Sequence, residues 1–250
     1  MTLTPIPTAT TTWTPLPTLA YAEARAMVRD LLENNGGCKL PCWWGIVPGK
    51  TDWSSAKQCL SQFTTVGEGQ KHWFSEYSGI MQYTMWSAYQ YRLGSLTGGG
   101  GIMVKNGGIQ RLLITTGTSA YRLSQLLKEY GKPTEIYIRT FRDTPTGDLL
   151  PFHLVLDYPE FGTTAFYETT ALRLGNGFLR GCIVDEEPIL YLRPVSEILT
   201  YQEVVEMVFG KDPTLPKTIQ EANDIDIVGF FDTVLAKGQI CLDTPMELWP

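Results

Sequence analysis

Between Cys38 and Thr51 the chain places two cysteines around Pro41, then the pair Trp43-Trp44, then a helix start, all within fourteen residues. Pro41 imposes a bend that brings the Cys38 and Cys42 sulfurs into bonding range, so a local disulfide is expected. A closed loop of about five residues contributes about 2 kcal/mol in the chain-entropy estimate, so such a bond shapes its surroundings more than it stabilises the whole. Cys182 and Cys241 are the second expected pair. A loop of about 60 residues contributes about 4 kcal/mol in the same estimate, and this bond would tie the C-terminal tail to a sheet. Cys59 falls in an expected helix and reads as a buried thiol, with its exchange into either pair left open. The C-x-x-x-C spacing, with no βαβ context, speaks against a thiol redox centre. Zinc would have to use His72 or His153 without a second cysteine pair at ligand spacing, and no metal or cofactor is expected.

Periodicity predicts a helix over residues 21–34, with Ala24, Val28, Leu31 and Leu32 on one face and Asn35-Gly36-Gly37 as its stop. Thr51 is positioned to cap a second helix carrying Trp53, Ala56, Leu60 and Phe63. A third starts near Thr118 or Ser119 and ends at Gly131-Lys132-Pro133. The capping box Thr200 to Glu203 opens a fourth, and Asp224 is the expected cap of a last helix through Phe230 and Val234. Strand-like runs cover 82–92, 101–104, 109–115, 134–140, 152–158, 163–169, 178–183 and 189–193. Asn106-Gly107 marks a type I′ hairpin turn, residues 157–162 a second hairpin connection, and Gly98 to Gly101 a flexible turn. Hairpin-linked strands without strict βαβ alternation imply an α+β fold, antiparallel sheets with helices on one face, built from two tandem helix-plus-meander units. The expected division is a Thr/Pro-rich disordered stalk over 1–19, a first unit with the cysteine loop over 20–117, and a second unit with the C-terminal helices over 118–250.

A net charge of −6 and the lack of any basic run argue against nucleic acid or an anionic membrane as partner. No stretch approaches the roughly 20 apolar residues of a transmembrane helix. The Thr/Pro repeat before residue 19 reads as an extended stalk of the kind that separates a folded domain from an envelope anchor, with a lipid anchor upstream of the given chain as one arrangement. The alternative is a disordered tail on a cytosolic protein. The cysteines favour an extracellular or cell-envelope location.

Pro48-Gly49-Lys50-Thr51 before Trp53, Ala56 and Leu60, and residues 126–133 leading into Ile136 and Ile138, resemble the helix, Gly-x-Pro and strand pattern of small secreted α/β modules. The β-lactamase-inhibitor-protein-like fold and the SmpA/OmlA-type envelope lipoproteins are examples. Residues 20–65 resemble uncharacterised secreted bacterial proteins bearing Cys-x-Leu-Pro-Cys-Trp-Trp-Gly-Ile. The first resemblance covers about half the chain and departs from the envelope family after the second helix, where Thr65 to Glu68 follow without a Gly-x-Pro. It implies binding rather than catalysis, and no functional residue carries over from it.

Gly45 to Thr51 nearly match a phosphate-binding loop, but with Gly49-Lys50-Thr51 in register the first glycine position falls on Trp44. The strand-like Leu154-Val155-Leu156-Asp157 mimics a magnesium-binding strand end, and such aspartates are common at turns. His72 and His153 lack a nucleophile elbow, and Asp185-Glu186-Glu187 read as a solvated turn. The aromatics between residues 43 and 91 are the remaining binding material. Core packing is the first use for most of them, with Trp73, Tyr83, Trp86, Tyr89 and Tyr91 as candidates for a ring face that meets a partner. The sequence therefore points to a non-enzymatic extracellular or envelope-associated interaction module for a protein or glycan ligand. A carbohydrate-binding protein or hydrolase using aromatic platforms and carboxylates is the alternative.

Overall fold

The computed structural model describes residues 18–69, 85–93, 95–142, 150–184, 186–210 and 215–250. Trp73, Tyr83, His72, Asp185 and all but the end of the expected stalk lie outside them.

In chain order the elements are α1 (Tyr21–Asn34), α2 (Trp53–Leu60), β1 (Thr65–Gly69), β2 (Met85–Leu93), β3 (Leu96–Lys105) and β4 (Gly108–Thr115). Then follow α3 (Leu123–Tyr130), β5 (Glu135–Thr140), β6 (Leu150–Tyr158), β7 (Thr163–Arg173), β8 (Phe178–Ile183) and β9 (Ile189–Leu192). The chain closes with α4 (Tyr201–Phe209), β10 (Lys217–Thr218), α5 (Ile219–Ala222), α6 (Ile227–Lys237) and β11 (Ile240–Pro245). The fold is α+β. One antiparallel sheet runs β1-β2-β3-β4-β9-β7-β6-β5-β10, so strands from both sides of residue 118 share it through the β4–β9 and β9–β7 pairings.

The sheet forks at β7. Its first half, Thr163 to Phe166, pairs with β9, and its last residues, Ala171 to Arg173, pair with β8 on the way to β11. Alternation along β6 sends Phe152, Leu154 and Leu156 to one face and His153, Val155 and Asp157 to the other. The first face carries the main core with α1, α2, α3 and α6, whose Val28, Leu60, Leu127 and Phe230 are buried there. α4 lies on the opposite face, where Val204 packs on Tyr137, Val155 and Phe166. Beside it Asp157 ends in a buried ion pair with Arg193, Nη2 to Oδ1 at 3.1 Å, and Thr164 donates to the same carboxylate at 2.5 Å. Asp157 is thus a structural partner of a buried guanidinium.

Three local expectations change. Gly98 to Gly101 form no turn but the middle of β3, bonded to β2 and β4. The reason is steric: a Cβ at Gly98 would overlap the Tyr91 hydroxyl, and one at Gly100 would crowd the Tyr89 ring. The cap of α2 is Asp52, whose Oδ1 accepts the Ser55 amide at 2.9 Å, while the Thr51 hydroxyl accepts the Val47 amide. The cap of α6 is Asp226, not Asp224; its Oδ1 accepts the Gly229 amide at 2.7 Å. Asn106 and Gly107, at φ 54° and 77°, make the expected hairpin turn.

Candidate functional site

Both expected disulfides are present. Cys38 bonds Cys42 across four positions of sequence, and Cys182 bonds Cys241 directly across the β8–β11 pairing. Cys59 is a free, exposed thiol, which corrects its assignment to the core: on α2 the buried positions are Trp53, Ala56 and Leu60, and Cys59 sits off that stripe.

The loop closed by Cys38 and Cys42 is organised by Asn35. This residue ends α1 in the left-handed conformation, φ 54°, and its side chain is buried under the loop. Its Nδ2 donates to the carbonyls of both cysteines, at 2.9 and 2.8 Å, and its Oδ1 accepts the Trp44 amide at 2.9 Å. The next four residues form a tight turn in which Trp43 and Ile46 exchange backbone hydrogen bonds of 2.9 and 2.8 Å. Trp44 and Gly45 occupy its corners at φ 53° and 81°, as in a type I′ turn. A left-handed conformation costs a bulky residue about 1–2 kcal/mol. Burial offsets it: Trp44 is 5% exposed, stacks on Trp43 with ring centroids 5.2 Å apart, and touches Phe63, Tyr89 and Tyr91.

Tyr89 and Tyr91 are accordingly not a presented ring face. They are 1% and 4% exposed, and burial pushes the Tyr91 phenol up to about 12 and that of Tyr89 higher still. The outward residues of β2 are Ala88, Gln90 and Arg92. Trp86 belongs to β2, opposite Gly69 and Met103. Trp73 and Tyr83 lie outside the described residues.

On its outer side the loop faces α3 across a groove of about 740 Å³. One wall is the end of α1 and the segment through Lys39; the other is Ser119 to Arg122 and the α3 residues Ser124, Gln125, Lys128, Glu129 and Tyr130. Two contacts fix the width. The Leu40 amide donates to the Tyr130 hydroxyl at 3.1 Å, and Lys39 Nζ pairs with Glu129 at 2.7 Å in the open, which raises the lysine above its ordinary value. Arg122 reaches Glu187 at 3.9 Å. The lining mixes amides, hydroxyls and charges of both signs with Leu32, Ala120 and the rings of Tyr121 and Tyr130.

A second concavity, about 550 Å³, lies where the phosphate-loop resemblance falls, between residues 49–54 and Asn106 to Gly108. The amides that would wrap phosphate are already used: Gly49 donates to Ile109, Lys50 and Thr51 to Val47, and Trp53 to Gly107. The helix start is occupied by the Asp52 carboxylate, held down to about 2 by hydrogen bonds from the Ser54 hydroxyl and then from Ser55. A phosphate would meet a fixed negative charge there. His153 sits on β6 with Glu168 at 3.7 Å and the rings of Phe166 and Phe209 beside it. Among the described residues no three metal-ligating side chains gather, and no helix is long and apolar enough to cross a membrane.

No protein-family model, curated protein or solved structure matches the chain. Asn35 is the residue of the site that sequence reasoning missed. Asn35-Gly36 carries the helix-stop signal, but nothing local announces that the side chain reaches carbonyls and an amide three to nine residues onward.

Proposed function

We propose that the chain is a non-enzymatic interaction module of the extracellular space or cell envelope, held on its Thr/Pro-rich stalk, and that the groove between the cysteine loop and α3 docks a polypeptide. The observation that carries it is the wall of that groove: a loop held rigid by a disulfide and by three hydrogen bonds of one buried asparagine, which pre-organises a surface of amides, hydroxyls and opposite charges. Two disulfides suit an oxidising compartment. A volume of this size accommodates a short peptide segment. The mixed charges suit a chain bearing both signs better than a sugar, which asks for a flat ring such as those of Tyr89 and Tyr91, and these are enclosed.

Selection of displayed random peptides on the full chain, with a glycan array in parallel, tests this. Peptides should be enriched, and Gln125→Ala with Lys128→Glu should abolish the enrichment. Enrichment indifferent to those changes moves the site elsewhere. Glycan binding with turnover lost on replacing a carboxylate would establish the carbohydrate-active alternative.

A further inference from the structure

We propose that the Cys38–Cys42 disulfide is a redox latch on the groove: its reduction by a dithiol slackens the Lys39 wall while the sheet and the Trp43–Trp44 turn stay in place. The functional part of this, weakened docking, rests on the groove being the docking surface.

The bond stands at the junction of two environments. Inward, Asn35 holds the Cys42 carbonyl and the Trp44 amide, and the Trp43 and Trp44 rings are buried. Outward, Cys38 and Lys39 line the groove, and both cysteines are partly exposed, within reach of an attacking thiolate. Besides the disulfide, the Cys42 amide bonded to the Lys39 carbonyl, the Leu40–Tyr130 contact, the buried Leu40 side chain and the exposed Lys39–Glu129 pair define where Lys39 points. The reduced state is also provided for. Cys38 Sγ lies 3.1 Å from the Asn35 carbonyl, so the thiol released there finds an acceptor without moving. Because Asn35 grips the Cys38 and Cys42 carbonyls independently of the sulfurs, loss of the covalent bond loosens the Lys39 to Pro41 backbone between them and leaves the ends of the loop in place.

The step balances without a further reactant. A thiolate of the dithiol attacks one sulfur and forms a mixed disulfide, and the other cysteine leaves as a thiolate that takes a proton. The second thiolate of the dithiol then closes on its partner and releases the remaining cysteine. The protein gains two electrons and two protons and the dithiol loses them. Cys182 and Cys241 face each other across the hydrogen-bonded β8–β11 ladder, which keeps their sulfurs together after reduction and favours reclosure, so the Cys38–Cys42 latch should reduce at a lower reduced-to-oxidised dithiol ratio.

The test uses the full chain with Cys59→Ser, which prevents exchange with the free thiol. It is poised in mixtures of reduced and oxidised dithiothreitol, alkylated for mass mapping of the four cysteines, and followed by amide hydrogen exchange. Cys38 and Cys42 should be alkylated well before Cys182 and Cys241. Exchange should then rise about tenfold at Leu40 and beside Tyr130, with β5 to β7 unchanged. Cys38→Ser with Cys42→Ser should reproduce the change without reductant, and reoxidation should reverse it. Simultaneous opening of both bonds, unaltered exchange at Leu40, or protection lost throughout the sheet would each overturn the latch. A selected peptide that binds both redox states equally overturns its control of docking and leaves the docking surface intact. Exchange that moves as expected in a chain that enriches no peptide supports the latch and removes the docking reading.

Discussion

Asn35 joins three requirements that no other residue type meets together. It adopts a left-handed backbone, donates twice and accepts once while buried, and is small enough to fit beneath the disulfide loop. Asn35→Ala should destabilise the protein by about 3 kcal/mol, since two carbonyls and an amide lose their partner and alanine resists the backbone angle. Urea unfolding measures this, and the oxidised disulfide should persist in the variant. Trp44 belongs to the same scale: core packing is the expected use for most aromatics between residues 43 and 91, and Trp43 and Trp44 are both buried, but a turn corner is an unexpected seat for a ring. Asp52 gives a pH prediction. Its folded value lies below the ordinary carboxylate value, so the cap stabilises fully above about pH 4 and is lost as the pH falls toward about 2. Glu203 and Glu221, each held low by its capping threonine, and Asp243 beside Arg180 act with the same sign. Urea midpoints should therefore drop between pH 4 and 2, and Asp52→Asn should flatten that drop.

At the level of elements, what was legible followed from short-range rules. The span of α1, the capping box of α4, the Asn106-Gly107 hairpin and the 178–183 strand all stand as periodicity and turn chemistry predict. What escaped depended on partners distant in sequence. Four consecutive glycines look like a turn until the strand beside them lays two tyrosine rings across their bare backbone. β11 is recognisable only beside β8, where Cys182 and Cys241 stand opposite each other. α4 carries an ordinary amphipathic pattern, yet nothing in it says which face of the sheet it covers. The fork at β7 gives the β8–β11 arm a single covalent tie, so Cys182→Ser with Cys241→Ser should cost about 4 kcal/mol. Thermal unfolding should show that loss in full, against about 2 kcal/mol for the Cys38–Cys42 pair.

For the whole molecule, one sheet spans the chain and its main face is filled by helices. The groove lies at the seam where the end of α1 meets α3, outside that core. Its cysteines were legible because a proline between close cysteines has few other uses. The groove itself was not, since its two walls are some 90 residues apart in sequence, as the Leu40 to Tyr130 bond shows. The measurement that bears most directly on its role is a titration of the isotopically labelled full chain with a selected peptide, followed by backbone amide NMR shifts. Shifts should concentrate at residues 33–40 and 119–130 and vanish with Gln125→Ala and Lys128→Glu. Shifts centred on the exposed side of β7 and β8, around Leu172 and Val184, would contradict the assignment of the groove as the working surface.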